Sequence, residues 1–245
     1  MGHILVTGSS RGIGGAALEA LAARGAKVIG HCSGGGSRGE LEGPGGAPVI
    51  AADFADPLSV KALWDRALDI AHGEIDVVVN NAGRFEANRL DRSDIEWLDA
   101  WEDTLRINLT AAAQLSRSAV LHWQQHGGGG RLVHVASRAA YRGDSPAHWH
   151  YAAAKSGMIG MHKTIARAYA KDGILSFAVT PGFTDTSMAG DYLASRGGPG
   201  LLADIPLGRV ATPEEIAAIM TFCALDAPPS MTGAVIDANG ASFVR

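Results

Sequence analysis

The sequence predicts an α/β protein built on a doubly wound parallel sheet of about seven strands, with helices on both faces. Three observations lead to this prediction. Short runs of β-branched residues recur along the 245 residues, and longer segments with helical spacing separate them. The runs are mainly apolar and do not alternate regularly with polar residues, which is typical of strands covered on both faces. Regular alternation of strand and helix favours parallel pairing through crossover helices.

Each predicted strand is an apolar run bounded by turn residues. The seven runs are Ile4 to Val6, Val28 to Ile29, Val49 to Ile50, Ile75 to Val79, Leu132 to Val135, Ile174 to Val179 and Ala234 to Ile236. Helical spacing is clearest from Ile13 to Leu21 and from Leu58 to Ala71. No linker and no repeat divides the chain, so we expect a single domain over residues 1–245.

Composition excludes several classes of protein. A hydrophobic share of 47% excludes a disordered chain, and the 2 cysteines exclude a disulfide scaffold. The net charge of -4 argues against a nucleic-acid partner, and no apolar stretch approaches the ~18 residues of a membrane span. His122 and His126 share a helix face, but no carboxylate or cysteine completes a metal site. We therefore expect a cytoplasmic protein with no metal, nucleic-acid or membrane partner.

The segment 7–14, TGSSRGIG, follows the first strand and opens the first helix. In that context Gly8 permits a tight turn, Gly12 lets phosphates approach the backbone, and Gly14 lets the helix pack closely on the sheet. Backbone N–H groups at a helix N-terminus are suited to a pyrophosphate. The segment therefore predicts a dinucleotide site, with a ligand-free tight turn as the alternative.

The end of the second strand indicates which dinucleotide binds. NAD-binding proteins place an acid there for the ribose hydroxyls, but no Asp or Glu occurs between Val28 and Glu40. A 2′-phosphate is then not repelled, and Arg11 can pair with it. We predict NADP(H) over NAD(H), with Ser33 and Arg38 as further phosphate contacts. The glycine-rich stretch 34–48 around them is expected to be a floppy connection.

Tyr151 and Lys155 are four positions apart in a helical segment, so they share one helix face. A neighbouring ammonium favours phenolate, so we expect the pKa of Tyr151 to fall towards the working pH. Ser137 ends a strand-like segment, and the carboxyl ends of strands are where α/β sheets bind ligands. The three residues predict a proton-donating site.

With the segments 80–83, NNAG, and 181–186, PGFTDT, these motifs make the whole chain resemble the short-chain dehydrogenase/reductase family in its single-domain, Rossmann-type form. By this resemblance Ser137 bonds the substrate oxygen, Tyr151 donates the proton, and Lys155 binds the nicotinamide ribose. It also implies that the backbone carbonyl of Asn108 helps to hold a water linked to Lys155, and that Asp53 contacts the adenine. The other cofactor-binding residues that it implies are Gly8, Ser10, Arg11, Gly12, Ile13, Gly14, Ser33, Phe54, Asn80, Ala82, Gly83, Pro181, Gly182, Thr184 and Thr186.

The chain departs from the family pattern at two places. Ser137 and Tyr151 are 14 positions apart, one more than the family's common spacing, so the wall formed by residues 138–150 is expected to differ. In that loop, His148 and His150 are either substrate contacts or packing residues. Residues 237–240, DANG, stand where relatives often have Asp-Gly-Gly.

The implied activity is that of an NADP(H)-dependent oxidoreductase interconverting a ketone and a secondary alcohol, similar to 3-oxoacyl-[acyl-carrier-protein] reductases. Two alternatives stay open: an NAD(P)-dependent dehydrogenase of a sugar, polyol or other small alcohol, and a non-catalytic dinucleotide sensor. Residues 183–208 are predicted to form a substrate lid, whose apolar side chains suggest a partly hydrophobic substrate. The resemblance also implies a homotetramer assembled through residues 99–126, residues 151–171 and the C-terminal strand.

Overall fold

The computed structural model describes residues 2–34, 40–43, 46–186 and 198–245. An eight-stranded sheet with the order β3-β4-β2-β1-β5-β6-β7-β8 forms the middle layer. The strands are β1 His3–Val6, β2 Val28–Cys32, β3 Glu40–Glu42, β4 Pro48–Ala51, β5 Ile75–Asn80, β6 Gly130–Val135, β7 Ile174–Pro181 and β8 Val235–Ala238. Every pairing is parallel except that of β3 with β4. The seven predicted strands and their parallel arrangement are confirmed.

Strand β3 was not predicted. It returns antiparallel along the edge of β4, with Glu40 opposite Ile50 and Glu42 opposite Pro48. The Gly43 N–H donates to the Ala47 carbonyl at 2.8 Å and closes the connection between them. The prediction of a floppy connection is therefore wrong for residues 40–43, and residues 35–39 and 44–45 lie outside the described part of the chain.

The helices are α1 Gly12–Ala23, α2 Pro57–Ile70, α3 Asp94–Leu105, α4 Ala111–Gln125, α5 Ala139–Arg142, α6 Trp149–Tyr169, α7 Gly198–Ala203 and α8 Pro213–Thr221. A π-helical turn, Arg106–Thr110, joins α3 to α4. Local chemistry explains where several helices begin. Ser93 and Glu96 form a capping box on α3, and Thr212 and Glu215 form another on α8. No helix within the described ranges is long and apolar enough to cross a lipid bilayer.

The sheet is covered on both faces. On one face, Leu18 and Leu21 of α1 and Met220 of α8 pack against the strands. On the other face, Leu63 of α2 and Leu115 of α4 do the same. Burial on both sides is the physical reason that the strands read as continuous apolar runs.

The predicted dinucleotide site lies where β1 and β5 end side by side. From β1 the strand order runs outward through β2 and β4 to one edge of the sheet, and from β5 it runs outward through β6 and β7 to the other edge. Because the order reverses between β1 and β5, a crevice opens there at the carboxyl ends of the strands. Thr7 closes the bottom of this crevice. Its Oγ1 accepts hydrogen bonds from the N–H groups of Asn81 and Ala82, both at 3.0 Å, and donates to the Val79 carbonyl at 3.1 Å.

Candidate active site

The glycine turn is built by backbone constraints. Gly8 and Gly12 have φ of +65° and +56°, which L side chains rarely adopt. A Cβ on Gly14 would lie 2.2 Å from the Gly8 carbonyl oxygen, so only glycine allows α1 to approach the turn this closely. The chain therefore needs glycine at all three positions.

The N-terminus of α1 fits a phosphate group. Arg11 is its N-cap residue, no side chain caps the helix, and no acidic residue lies in its first turn. The first N–H groups of a helix have no partner within the helix, and the helix dipole favours an anion there. Ser10 and Arg11 are exposed beside these groups, and Ile13 is half-buried. A Cβ on Gly12 would lie 3.3 Å from the Thr186 methyl group, so the segment 181–186 borders the same turn.

The residues predicted to contact the adenosine end of the cofactor follow the strand ends on the other side of the turn. Ser33 is exposed just after β2, and its contact with a phosphate stays a prediction. Asp53 is exposed after β4, and its Oδ1 accepts a hydrogen bond from the Ala55 N–H at 2.9 Å. Phe54 is only 4% exposed and its ring stacks on His31, and its contact with the cofactor stays a prediction. Arg38 lies outside the described residues.

The two asparagines of segment 80–83 make different contacts. Asn80 was predicted to line the cofactor, but its side chain is buried, and its Nδ2 lies 3.1 Å from Ser116 Oγ and 3.3 Å from His134 Nδ1. Asn81, which was not among the predicted site residues, points to the glycine turn. Its Nδ2 donates to the carbonyls of Thr7 at 2.9 Å and Gly8 at 3.1 Å. Ala82 follows at the Thr7 contact described above.

Ser137, Tyr151 and Lys155 come together at the carboxyl end of β6 and the start of α6. The half-buried Tyr151 lies beside the Ser137 side chain, whose Oγ accepts a hydrogen bond from the Ala139 N–H at 3.1 Å. The Lys155 Nζ donates to the carbonyl of Val135 at 2.7 Å and lies 5.7 Å from the centre of the Tyr151 ring. The structure thus brings together the three groups that the sequence singled out.

Burial governs the acidity of this group of residues. It raises the pKa of Tyr151 to about 12, which the negative charge of Asp144 reinforces and the neighbouring Ser137 hydroxyl opposes. It lowers the pKa of Lys155 to about 8. The predicted fall in the Tyr151 pKa is therefore wrong for the free protein, because desolvation outweighs any attraction by the ammonium group. At neutral pH the phenol carries its proton, as a proton donor must.

Asn108 lies in the π-helical turn between α3 and α4 and is completely buried. Its Oδ1 accepts a hydrogen bond from the Arg84 N–H at 2.8 Å, and its Nδ2 donates to the Arg84 carbonyl at 2.9 Å. A Cβ on Gly83 would lie 3.3 Å from Asn108 Oδ1 and 3.7 Å from Lys155 Nζ, so the three residues are neighbours. Single π-turns of this kind occur frequently at functional sites. The role of the Asn108 carbonyl in holding a water stays a prediction.

An aromatic wall, formed by Phe85, His148, His150 and Trp101, stands beside the phenol. Phe85 stacks on His148 at 4.0 Å and meets Tyr151 edge-on at 4.8 Å. His150 is buried and stacks with Trp101 at 6.4 Å. Burial of both histidines supports the packing role that the sequence left open for them. Phe85 was not predicted, since only its position two residues after the NNAG segment hinted at a place in the site.

The segment after β7 is anchored to the sheet. The Gly182 N–H donates to the Ala238 carbonyl at 3.0 Å, and a Cβ on Gly182 would lie 2.9 Å from the Cα of Asn239. Pro181 ends β7, and Thr184 is buried and paired with Ala211. Of the predicted lid at 183–208, residues 187–197 lie outside the described part of the chain, and residues 198–203 form α7.

No group of three His, Cys, Asp or Glu side chains suitable for a metal occurs among the described residues. The histidine pair on α4 bonds to backbone instead. His122 Nε2 lies 3.0 Å from the Gly73 carbonyl oxygen, and His126 Nδ1 lies 2.7 Å from that of His122.

Comparison with known proteins places this geometry in a family. Residues 8–240 match the family model described as Enoyl-(Acyl carrier protein) reductase. The chain is 36% identical over 243 residues to the 3-oxoacyl-[acyl-carrier-protein] reductase of Escherichia coli (strain K12), covering 98% of this chain and 96% of that protein. The protein belongs to the short-chain dehydrogenase/reductase family. As the sequence predicted, it is an oxidoreductase of that family.

Two solved structures resemble this one closely. A candidate NAD(P) dependent gluconate 5-dehydrogenase from Beutenbergia cavernae, with NADP bound at low occupancy, has a TM-score of 0.85 and 30% identity, covering 98% of this chain and 96% of that chain. A candidate 2-deoxy-d-gluconate 3-dehydrogenase from Agrobacterium tumefaciens with bound NADP has a TM-score of 0.82 and 28% identity, covering 98% of this chain and 95% of that one.

Proposed function

We propose that this protein is an NADP(H)-dependent oxidoreductase that interconverts a ketone and a secondary alcohol. The observation that carries the proposal is the meeting of Ser137, Tyr151 and Lys155 at one end of the crevice whose other end holds the glycine turn. One end can therefore hold a dinucleotide while the other holds a carbonyl compound.

The cofactor site fits NADP(H). The N-terminus of α1 would take the pyrophosphate, Arg11 and Ser33 the 2′-phosphate, and Lys155 the nicotinamide ribose. Exposed cationic and hydroxyl groups at the ribose end suit an additional phosphate. The bound NADP in both similar structures supports the same choice. When bound, NADPH supplies the hydride for reduction.

Ser137 and Tyr151 act on the carbonyl oxygen. Their hydroxyl groups are neighbours, so both can donate to a single acceptor atom that enters between them. Two donors fixed in a dry site stabilise the negative charge that develops on this oxygen during reduction. Tyr151 then transfers its proton to the oxygen as the general acid.

Lys155 makes that transfer possible. A phenol with a pKa of about 12 gives up its proton reluctantly, and the phenolate that it leaves needs a positive charge nearby. The ammonium group of Lys155, held by the Val135 carbonyl below the phenol, supplies this charge. Asn108 supports the same corner through its two bonds to Arg84.

The substrate class that we propose first is a 3-oxoacyl thioester or a similar ketone with an apolar chain. Phe85 and Trp101, the half-buried members of the aromatic wall beside Tyr151, offer an apolar surface for such a chain, and the Escherichia coli relative reduces a 3-oxoacyl group by its name. The second candidate is a sugar acid or polyol, since both similar structures are described as dehydrogenases of gluconate compounds.

We further propose a homotetramer in the cytoplasm, assembled through residues 99–126, residues 151–171 and the C-terminal strand. Exposed apolar side chains next to these segments support an interface. Ile95 and Leu98 on α3 are 74% and 51% exposed, and Trp149 at the start of α6 is 53% exposed.

A ketone panel tests the function. NADPH oxidation is followed with a 3-oxoacyl thioester, a keto sugar acid and a simple cyclic ketone, and the reverse reaction is followed with the matching alcohols and NADP+. The proposal expects ketone-dependent oxidation with at least one compound, fastest with the thioester. Tight NADPH binding without turnover of any carbonyl would favour a dinucleotide sensor instead.

A further inference from the structure

His31 lies in β2, one residue before its end, and its side chain contacts both the glycine turn and the segment that follows β4. Its Nδ1 lies 3.1 Å from the backbone nitrogen of Gly8, and its Nε2 lies 2.8 Å from the carbonyl oxygen of Ala52. Its ring stacks on Phe54, with centroids 4.2 Å apart and planes 9° from parallel. The imidazole is only 1% exposed, and the chemistry proposed above gives it no role.

The two bonds require one form of the ring. The Gly8 N–H only donates, so Nδ1 must accept. The Ala52 carbonyl only accepts, so Nε2 must carry the proton. Burial favours this neutral form and lowers the pKa of His31 to about 4, against the opposing charge of Asp53. The neighbouring Ser9 hydroxyl has a different partner in the same residue: it accepts a hydrogen bond from the His31 backbone N–H at 3.0 Å.

The Gly8 peptide groups are thereby held from two sides. Asn81 donates to the Gly8 carbonyl at 3.1 Å, and His31 accepts from the Gly8 N–H. Gly8 has a left-handed backbone conformation, with φ of +65°. Glycine adopts this conformation easily, but it adopts others as easily. A turn with such freedom loses more conformational entropy on binding a ligand unless its conformation is fixed beforehand.

We infer that His31 is a positioning residue of the cofactor site: its imidazole fixes the Gly8 peptide, and with it the glycine turn, in the conformation that receives a pyrophosphate. The identity of the ligand rests on the proposed function, whereas the ordering of the turn does not. His31 touches the turn and not the reacting atoms, so its effect is on cofactor affinity and not on proton transfer.

Three variants separate this role from simple burial. His31→Leu keeps much of the bulk and removes both side-chain bonds. His31→Gln offers an amide oxygen to Gly8 and an amide N–H to Ala52. His162→Leu is the matched control, because His162 is also a buried imidazole, with Nδ1 2.8 Å from Ser176 Oγ, but it lies on α6 against β7.

The Kd for NADP+ is measured by calorimetry on each folded variant. We expect it to rise at least tenfold in His31→Leu and to stay within about threefold of wild type in His31→Gln. In His162→Leu we expect a lower Tm with Kd within about twofold. An unchanged Kd in a folded His31→Leu variant overturns the inference.

Hydrogen–deuterium exchange of the ligand-free protein provides a readout that does not depend on the cofactor. Peptides covering residues 7–14 should exchange at least tenfold faster in His31→Leu than in wild type or His162→Leu. Equal exchange overturns the role of His31. Should wild type bind no NADP+, the proposed function fails, and the exchange rates still decide on His31.

Should His31→Leu fail to fold, nitrogen NMR of the wild-type histidines decides the question. A neutral His31 ring protonated at Nε2 from pH 6 to pH 8 supports the inference. A ring protonated at Nδ1, or charged at pH 7, contradicts it, because neither can accept from Gly8.

Discussion

The two halves of the crevice work by different physical means. In the catalytic half, formed by Ser137, Tyr151 and Lys155, the side chains are largely buried, and burial moves the pKa of Tyr151 to about 12 and that of Lys155 to about 8. In the cofactor half, formed by the glycine turn, Ser33 and Asp53, the side chains are exposed, and the recognition groups are backbone amides. One half depends on altered acidity, and the other depends on backbone shape.

This contrast predicts that side-chain replacements in the catalytic half change turnover and its pH dependence. Replacements in the cofactor half should change binding and cofactor choice instead. The following predictions test that separation, in order of decreasing effect.

Tyr151→Phe should lower kcat for ketone reduction by about a thousandfold or more, because it removes the general acid and one donor to the carbonyl oxygen. The Kd for NADP+ should stay within about threefold of wild type. Tyr169→Phe, at the far end of the same helix, is the matched control and should leave both constants unchanged. Turnover above one tenth of wild type in Tyr151→Phe would contradict the assignment.

The kcat/KM for reduction should fall as pH rises above about 8, approaching tenfold per pH unit, because Lys155 loses the charge that stabilises the phenolate. Tyr151, with a pKa of about 12, keeps its proton over this range and does not cause the fall. In Lys155→Arg the fall should move beyond pH 10, since a guanidinium stays charged. A wild-type profile that is flat from pH 7 to pH 10 would be incompatible with this role for the lysine.

Stability in acid tests the buried imidazole behind the cofactor half. The pKa of His31 is about 4 in the folded protein, below the ordinary value of 6.5, so the unfolded chain binds protons more readily between these values. The free energy of unfolding should therefore fall as pH drops from 6.5 towards 4, by about 2 kcal/mol from pH 7 to pH 5 for this residue. Urea unfolding at both pH values measures it. His31→Leu should show a correspondingly smaller difference, and an equal difference in variant and wild type would refute the attribution.

Arg11→Ala should reduce the preference for NADPH over NADH, measured as the ratio of kcat/KM values, by about tenfold. The loss should fall on the NADPH value, since the NADH reaction does not need a charge at the 2′ position. Arg11→Lys should recover part of the preference. If wild type prefers NADH, or if both values fall equally, Arg11 does not recognise the 2′-phosphate.

The sequence predicts most of the strands and the helical spacing of the site well, because the patterns that indicate them are local. Seven strands follow from apolar runs, and the pairing of Tyr151 with Lys155 follows from helical spacing. Strand β3 was missed because Glu40–Glu42 carries no β-branched residue and lies in a glycine-rich stretch. Its pairing partner, and not its own composition, makes it a strand.

What the sequence could not supply depends on partners far away in the chain. Asn80 and Asn81 are adjacent and chemically identical, yet the Asn80 side chain is buried against Ser116, whereas that of Asn81 donates to the glycine turn. The pKa of Tyr151 depends on a balance between burial and charge that only the packed structure sets. The contact of His31 with Gly8, 23 residues away, is of the same kind.

The most direct measurement is a crystal structure of the protein with NADP+ and a ketone or alcohol ligand. The mechanism predicts a ligand oxygen about 2.6–3.2 Å from both the Ser137 and Tyr151 hydroxyl oxygens, next to the nicotinamide ring. A ligand oxygen bonded to neither hydroxyl, with the nicotinamide ring in place, would contradict the mechanism.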